Sequence, residues 1–188
     1  MTERKWKLAG IHGIRRFIWH LMQQELGWTT TPYRGAQPVI TPQQAPEFND
    51  YGAPYIVYNY SHLPTAEDYF LHREQAVFTV YAADEEDVRE VINVLYEYFK
   101  AHDDSAKIVN YWLGTLNNAP EYKKYDYKII RVTSSVGASP ADQEGARHSG
   151  SISIYYTYTR EDRVDYGIGP AMGQDTIDIL NPPVEPIP

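Results

Sequence analysis

Residues Asp84 to Phe99 (DEEDVREVINVLYEYF) carry the pattern that most narrows what this chain can fold into. Val88, Val91, Ile92, Leu95 and Phe99 recur at three- and four-residue spacing, which places them on one stripe of an α-helix. Arg89, Glu90, Asn93, Glu97 and Lys100 line the wet side. Asp84 stands at the N-cap position, and Glu85, Glu86 and Asp87 fill the first turn, where carboxylates complement the positive end of the backbone dipole. Burying the five apolar side chains contributes on the order of 8–15 kcal/mol before conformational entropy is subtracted. Such a helix, expected over 84–102, needs a sheet to lie on.

Strand patterns flank it on both sides. Residues 55–60 (YIVYNY) follow Pro54, and residues 75–82 (QAVFTVYA) alternate Ala76, Phe78 and Val80 against Val77, Thr79 and Tyr81. Downstream come residues 128–134 (KIIRVTS) and 150–160 (GSISIYYTYTR). In the last, Ile152, Ile154, Tyr156 and Tyr158 share one face, and Ser151, Ser153, Tyr155, Thr157 and Thr159 the other. A second helix is expected over 11–26, where Ile11, Ile14, Ile18, Leu21, Met22 and Leu26 form a stripe, Phe17 and Trp19 widen it, and Gly27 supplies the C-terminal stop. The fold class expected is therefore α+β, a mainly antiparallel sheet of about four strands backed by helices 11–26 and 84–102. Residues 107–127 leave a short helix and an irregular cover both open, and a helical turn is expected at 65–70.

The remaining segments are extended. Residues 29–54 hold Pro32, Pro38, Pro42, Pro46 and Pro54, a density that forbids a helix interior or a central strand, so an outreaching arm is expected. Residues 135–149 (SVGASPADQEGARHS) join two strand patterns, and hairpin loops normally have about two to five residues. A loop this long is expected to be a contact element. Beyond Glu161 the chain turns Gly- and Pro-rich and ends NPPVEPIP. The expected organisation is one α+β domain over 1–161, arm included, and an extended C-terminal tail over 162–188.

Composition removes several function classes. No cysteine occurs, which excludes disulfides, thiolate metal sites and cysteine nucleophiles. The first residues, MTERKWKLAGIHG, have no apolar core of a signal peptide, and no stretch reaches the ~20 apolar residues of a membrane helix. A net charge of −8 repels phosphate backbones, so general nucleic-acid binding is not expected. Seventeen Tyr against five Phe favour surfaces that are wet before assembly and buried after it.

No reaction centre stands out. Neither G-x-S-x-G nor a phosphate-cradling G-x-x-x-x-G-K-[ST] is present, and the six histidines form no H-x-H or H-x-x-x-H pair. The one place where acids and histidines crowd is His62, Glu67, Asp68 and His72. It offers an imaginable site for a small enzyme of ferredoxin-like architecture, weighed against a solvated connector. No cofactor, metal or catalytic residue is expected.

The order of elements, together with PYIVYNY, VFTVYAADEEDVREVINVLYEYF, YKIIRVTSS and ARHSGSISIYYTYTRE, resembles the tail terminator proteins of long-tailed bacteriophages. The likeness covers roughly residues 54–161 and rests on pattern, not on a catalytic motif. It implies a structural virion protein, a homohexameric ring at the neck or top of the tail, assembled in the bacterial cytoplasm. Its implied partners are copies of itself, the tail tube protein, the sheath protein of a contractile tail, and the neck or connector protein. DNA would pass through the lumen unbound, and no membrane would be involved. A neck or head-completion ring is the alternative within the virion. Contact residues expected on this reading are Pro38, Pro42, Gly137, Ser139, Asp142, Glu144, Arg147, His148, Tyr155 and Tyr166.

Overall fold

The computed structural model describes residues 9–29, 38–42, 53–63, 71–100, 103–118, 120–140 and 148–160. In chain order these form α1 (Ile11–Glu25), β1 (Val39–Thr41), β2 (Tyr55–His62), β3 (His72–Ala82), α2 (Glu85–Phe99), α3 (Asp103–Gly114), a 3-10 turn (Pro120–Lys124), β4 (Tyr125–Pro140) and β5 (His148–Arg160). The strands make one five-stranded sheet in the order β1-β2-β3-β5-β4. β1 runs parallel to β2, and the other three pairs are antiparallel. The α+β class and the mainly antiparallel sheet are as the sequence predicts.

All three helices pack on one face of this sheet. The alternation read in β3 and β5 holds: Ala76, Phe78 and Val80, and Ile152, Ile154, Tyr156 and Tyr158, are buried in one core with Ile56 and Tyr58 of β2. The stripe of α2 closes over them, with Val88, Val91, Ile92, Leu95 and Phe99 all buried. Gly150 of β5 lies directly beneath, since a Cβ there would meet Val88 at 2.9 Å and Ile92 at 3.2 Å. Phe17 of α1 meets Phe99 and Trp112 edge-on at 5.9 and 5.5 Å, which joins the three helices through one aromatic cluster. Gly27 ends α1 in the left-handed region at φ 63°, and the Trp28 amide turns back to donate to the Met22 carbonyl at 3.1 Å.

The sheet of about four strands is roughly as expected; the fifth strand, β1, forms within the proline-rich arm. Pro38 and Pro42 bracket it, limiting it to three residues at the sheet edge, where missing amide donors do no harm. Several expectations need correction. The helix expected over 84–102 stops at Phe99; Lys100 is extended (φ −52°, ψ 138°), and a separate α3 begins at Asp103. Asp84 takes the cap position with an extended backbone but makes no side-chain cap hydrogen bond. The ambiguous stretch 107–127 resolves into α3, a turn and the start of β4.

The long hairpin loop is mostly strand. β4 and β5 stay paired out to Ser139 opposite Ser149 and Pro140 opposite His148. Three register irregularities along β4, at Tyr127/Ile129, Val132/Ser134 and Val136/Ser139, absorb extra residues and bend this edge strand. The turn expected at 65–70 and the tail 162–188 lie outside the described residues.

Candidate functional site

The most concentrated polar chemistry lies inside the molecule, around Glu74. Alternation along β3 puts Glu74 in phase with Ala76 and Phe78, facing the helices, and it is 0% exposed. Four hydrogen-bond donors converge on its carboxylate, and the His62 ring stands beside it. Oε1 accepts from the Gly10 amide at 3.2 Å and the Tyr158 hydroxyl at 2.7 Å, and it faces His62 Nδ1 at 3.2 Å. Oε2 accepts from the Ile11 amide at 3.1 Å and the Tyr156 hydroxyl at 2.6 Å. The two amides belong to the start of α1, so a residue of β3 supplies the helix cap that no local side chain provides.

A second tyrosine ties the same place down. Tyr127 of β4 is buried and donates its hydroxyl to the Gly10 carbonyl. Glycine is required here by close approach: a Cβ on Gly10 would meet the Tyr158 ring at 2.5 Å, and one on Gly13 would collide with the Tyr127 hydroxyl. Burial, and next the Glu74 charge, hold the Tyr156 and Tyr158 hydroxyls well above the ordinary tyrosine range. Burial does the same for Tyr127. These groups remain protonated donors, which a buried carboxylate needs.

The geometry makes Glu74 an anchor. A carboxylate offers about four lone-pair positions, and four hydrogen-bond donors fill those of Glu74. His62, 63% exposed, is the one member of the cluster that reaches solvent. Of the residues considered for an enzyme site, His62 joins this cluster, and His72 stacks on the Tyr158 ring at 5.1 Å. Glu67 and Asp68 lie outside the described residues. Among the described residues no group of three His, Asp or Glu side chains could hold a metal ion.

Glu74 itself went unread as a site residue, although two signals pointed to it. Its parity along β3 matches the buried residues, and the buried tyrosines at 156 and 158 need hydroxyl partners.

The expected contact residues fall elsewhere. Gly137 and Ser139 sit in β4, and His148 opens β5, so all three belong to paired strand instead of loop. His148 Nδ1 is buried with no hydrogen-bond partner. Tyr155 lies on the face of the sheet turned away from the helices, with the Arg131 guanidinium 4.8 Å above its ring. Pro38 and Pro42 flank β1. Asp142, Glu144, Arg147 and Tyr166 are outside the described residues.

That outer face has a definite composition. Val57, Thr79, Ser151 and Val136 form a register row across four strands, and Val77, Ser153, Tyr155 and Ile129 extend the patch along β3, β5 and β4. No described helix or strand lies over it, and Val136 is 57% exposed and Val77 38%. It is hydroxyl-rich and studded with aliphatic groups.

No protein-family model matches the chain, and a search of curated proteins returns no match.

Proposed function

We propose that this chain is a structural subunit of a virion, a tail terminator that closes into a ring on the end of a phage tail tube and presents a docking face to the head connector. The observation that carries the reading is the outer sheet face, where Val77, Ile129 and Val136 are exposed and Val57 and Tyr155 partly so, with no described helix or strand lying over them. A four-strand row of aliphatic and hydroxyl side chains suits apposition to another protein surface, because it holds few charges to desolvate. The β4–β5 pairing runs the full width of this face, out to Ser139 with Ser149 and Pro140 with His148, level with the end of β3 at Tyr81 and Ala82.

The buried polar cluster supports the same reading from the other side. It fixes α1 to the sheet through Glu74, giving a rigid two-layer unit, and rigid units lose little conformational entropy when they assemble.

The test is to mix the purified protein with tail tubes and image the ends by negative-stain microscopy. Rings capping one end of the tubes are expected, and V77D/V136D is expected to keep the circular dichroism spectrum while losing the caps. A protein that never associates with tube ends, or a double variant that caps them normally, overturns the reading. Immunogold localisation in whole particles separates a terminator position from one higher in the neck.

A further inference from the structure

We propose that Arg15 and Arg16 of one copy form a carboxylate-binding pocket for Glu86 and Glu90 of a second copy, a contact that rests on the self-assembly reading above. Arg15 and Arg16 line a pocket of about 210 Å³ on α1 together with Trp19 and with Ile40 of β1. Both arginines are half-buried. Among the described residues neither makes an ion pair or a side-chain hydrogen bond. A guanidinium drawn partly out of water with nothing to donate to is costly, and it presents a rigid fork matched to a carboxylate. Trp19 is held by an edge-on contact with Trp28 at 6.0 Å, so the apolar wall beside the two charges is fixed.

The occupant follows from charge accounting over the described side chains. Glu85 pairs with Arg89, Glu97 with Lys100, Asp104 with Lys107 and Asp126 with Lys128. Glu25 accepts from Tyr98, Glu74 is saturated, and Asp84 and Asp87 have partners of their own. Glu86 and Glu90 remain. Both are exposed on α2, and their four-residue spacing sets like charges side by side on one turn, a mildly unfavourable arrangement that two neighbouring arginines would relieve. On the basic side Arg73 is also unpaired, but it lies on the outer sheet face and lines no pocket with a second unpaired arginine, since Arg131 there is engaged with Tyr155.

The placement of the two patches gives the contact a direction. The arginine pocket includes Ile40 on β1, one edge of the sheet. Glu86 and Glu90 lie on the solvent side of the α2 segment whose buried Val88 rests on Gly150 of β5, the strand beside the opposite edge. The patches differ and lie toward opposite edges, so the contact is head-to-tail, and repetition of a head-to-tail contact closes into a ring when its rotation permits. A second copy is the matching partner in a chain of net charge −8, because copies repel each other except where such a basic spot meets surplus acid.

The experiment is a charge swap on the full chain, read by analytical ultracentrifugation at several salt concentrations. R15E/R16E and E86R/E90R should each raise the concentration for half-assembly by at least about tenfold. Mixing the two variants, or combining all four changes in one chain, should restore it, since every contact again pairs opposite charges. Assembly of the wild type should also weaken as salt rises. Assembly unchanged in both single-site variants, or lost without restoration in the mixture while both variants keep a native circular dichroism spectrum, overturns this contact and leaves the ring reading standing. A wild type that stays monomeric overturns both.

Discussion

The carboxylate of Glu74 on β3 accepts the backbone amide of Ile11, 63 residues earlier in the chain, at 3.1 Å. One interaction thereby closes the first turn of α1 and fastens that helix to the middle of the sheet. Replacing Glu74 with Gln keeps the shape but removes the charge and turns an acceptor into a donor facing other donors. The expected loss is about 3 kcal/mol, within the range for breaking a buried charged network. Urea denaturation of Glu74→Gln checks it; a loss below about 1 kcal/mol would remove the anchor from the account.

The tyrosines around that anchor make a prediction for alkaline pH. Their folded pKa values lie above the ordinary 10.0, by burial first and the Glu74 charge second for Tyr156 and Tyr158. A group whose pKa is raised on folding contributes its full stability below the unfolded value and loses it as pH climbs above that value. Stability should therefore be level up to about pH 10 and fall beyond it, by up to about 1.4 kcal/mol per pH unit for each such tyrosine. Replacing Tyr158 with Phe should make the fall shallower, as followed by chemical denaturation between neutral pH and pH 11, about one unit past the tyrosine value.

Close packing at Gly13 gives a coupled pair. A methyl group there would collide with the Tyr127 hydroxyl and sit 3.3 Å from Leu113 Cδ1. Gly13→Ala should cost about 1–3 kcal/mol despite its better helix propensity. In a Tyr127→Phe background the hydroxyl is gone, so the same Gly13→Ala change should cost less. Thermal melts of the double-mutant cycle measure the difference; strict additivity would show that the two positions do not compete for the same space.

The outer face predicts a separation of folding from assembly. Val136→Asp and Val77→Asp add charge on exposed strand positions without touching the core, so each should change stability by no more than about 0.5 kcal/mol. Both should weaken self-association. Melting temperature and sedimentation measured on one preparation distinguish the two effects.

How far this architecture could be read from residues alone depended on the kind of signal. The stripe of α2 and the alternation of β5 were legible because apolar spacing there has one solution. α3 was not. Its buried set, Ala106, Val109 and Leu113, is obscured by Ile108 and Tyr111, which point outward, Tyr111 with 80% exposure. The far half of β4 looked like loop because Ser134, Ser135 and Gly137 are small and polar; pairing with β5, accommodated by bulges, makes it strand. β1 was concealed by its prolines, and a three-residue parallel edge strand exists only through its neighbour. Glu74 was hidden for a related reason: an acid inside a core becomes tolerable only once distant donors are brought to it, and Gly10, Ile11, Tyr156 and Tyr158 lie far along the chain. The outer face of β5 was read correctly as a face, and Tyr155 is on it.

Native mass spectrometry of the purified full chain at micromolar concentration bears most directly on assembly as the purpose of this fold. A closed homo-oligomer of one defined stoichiometry is the predicted result, lost in V77D/V136D. A monomer at every concentration, alone and in the presence of tail tubes, would contradict it.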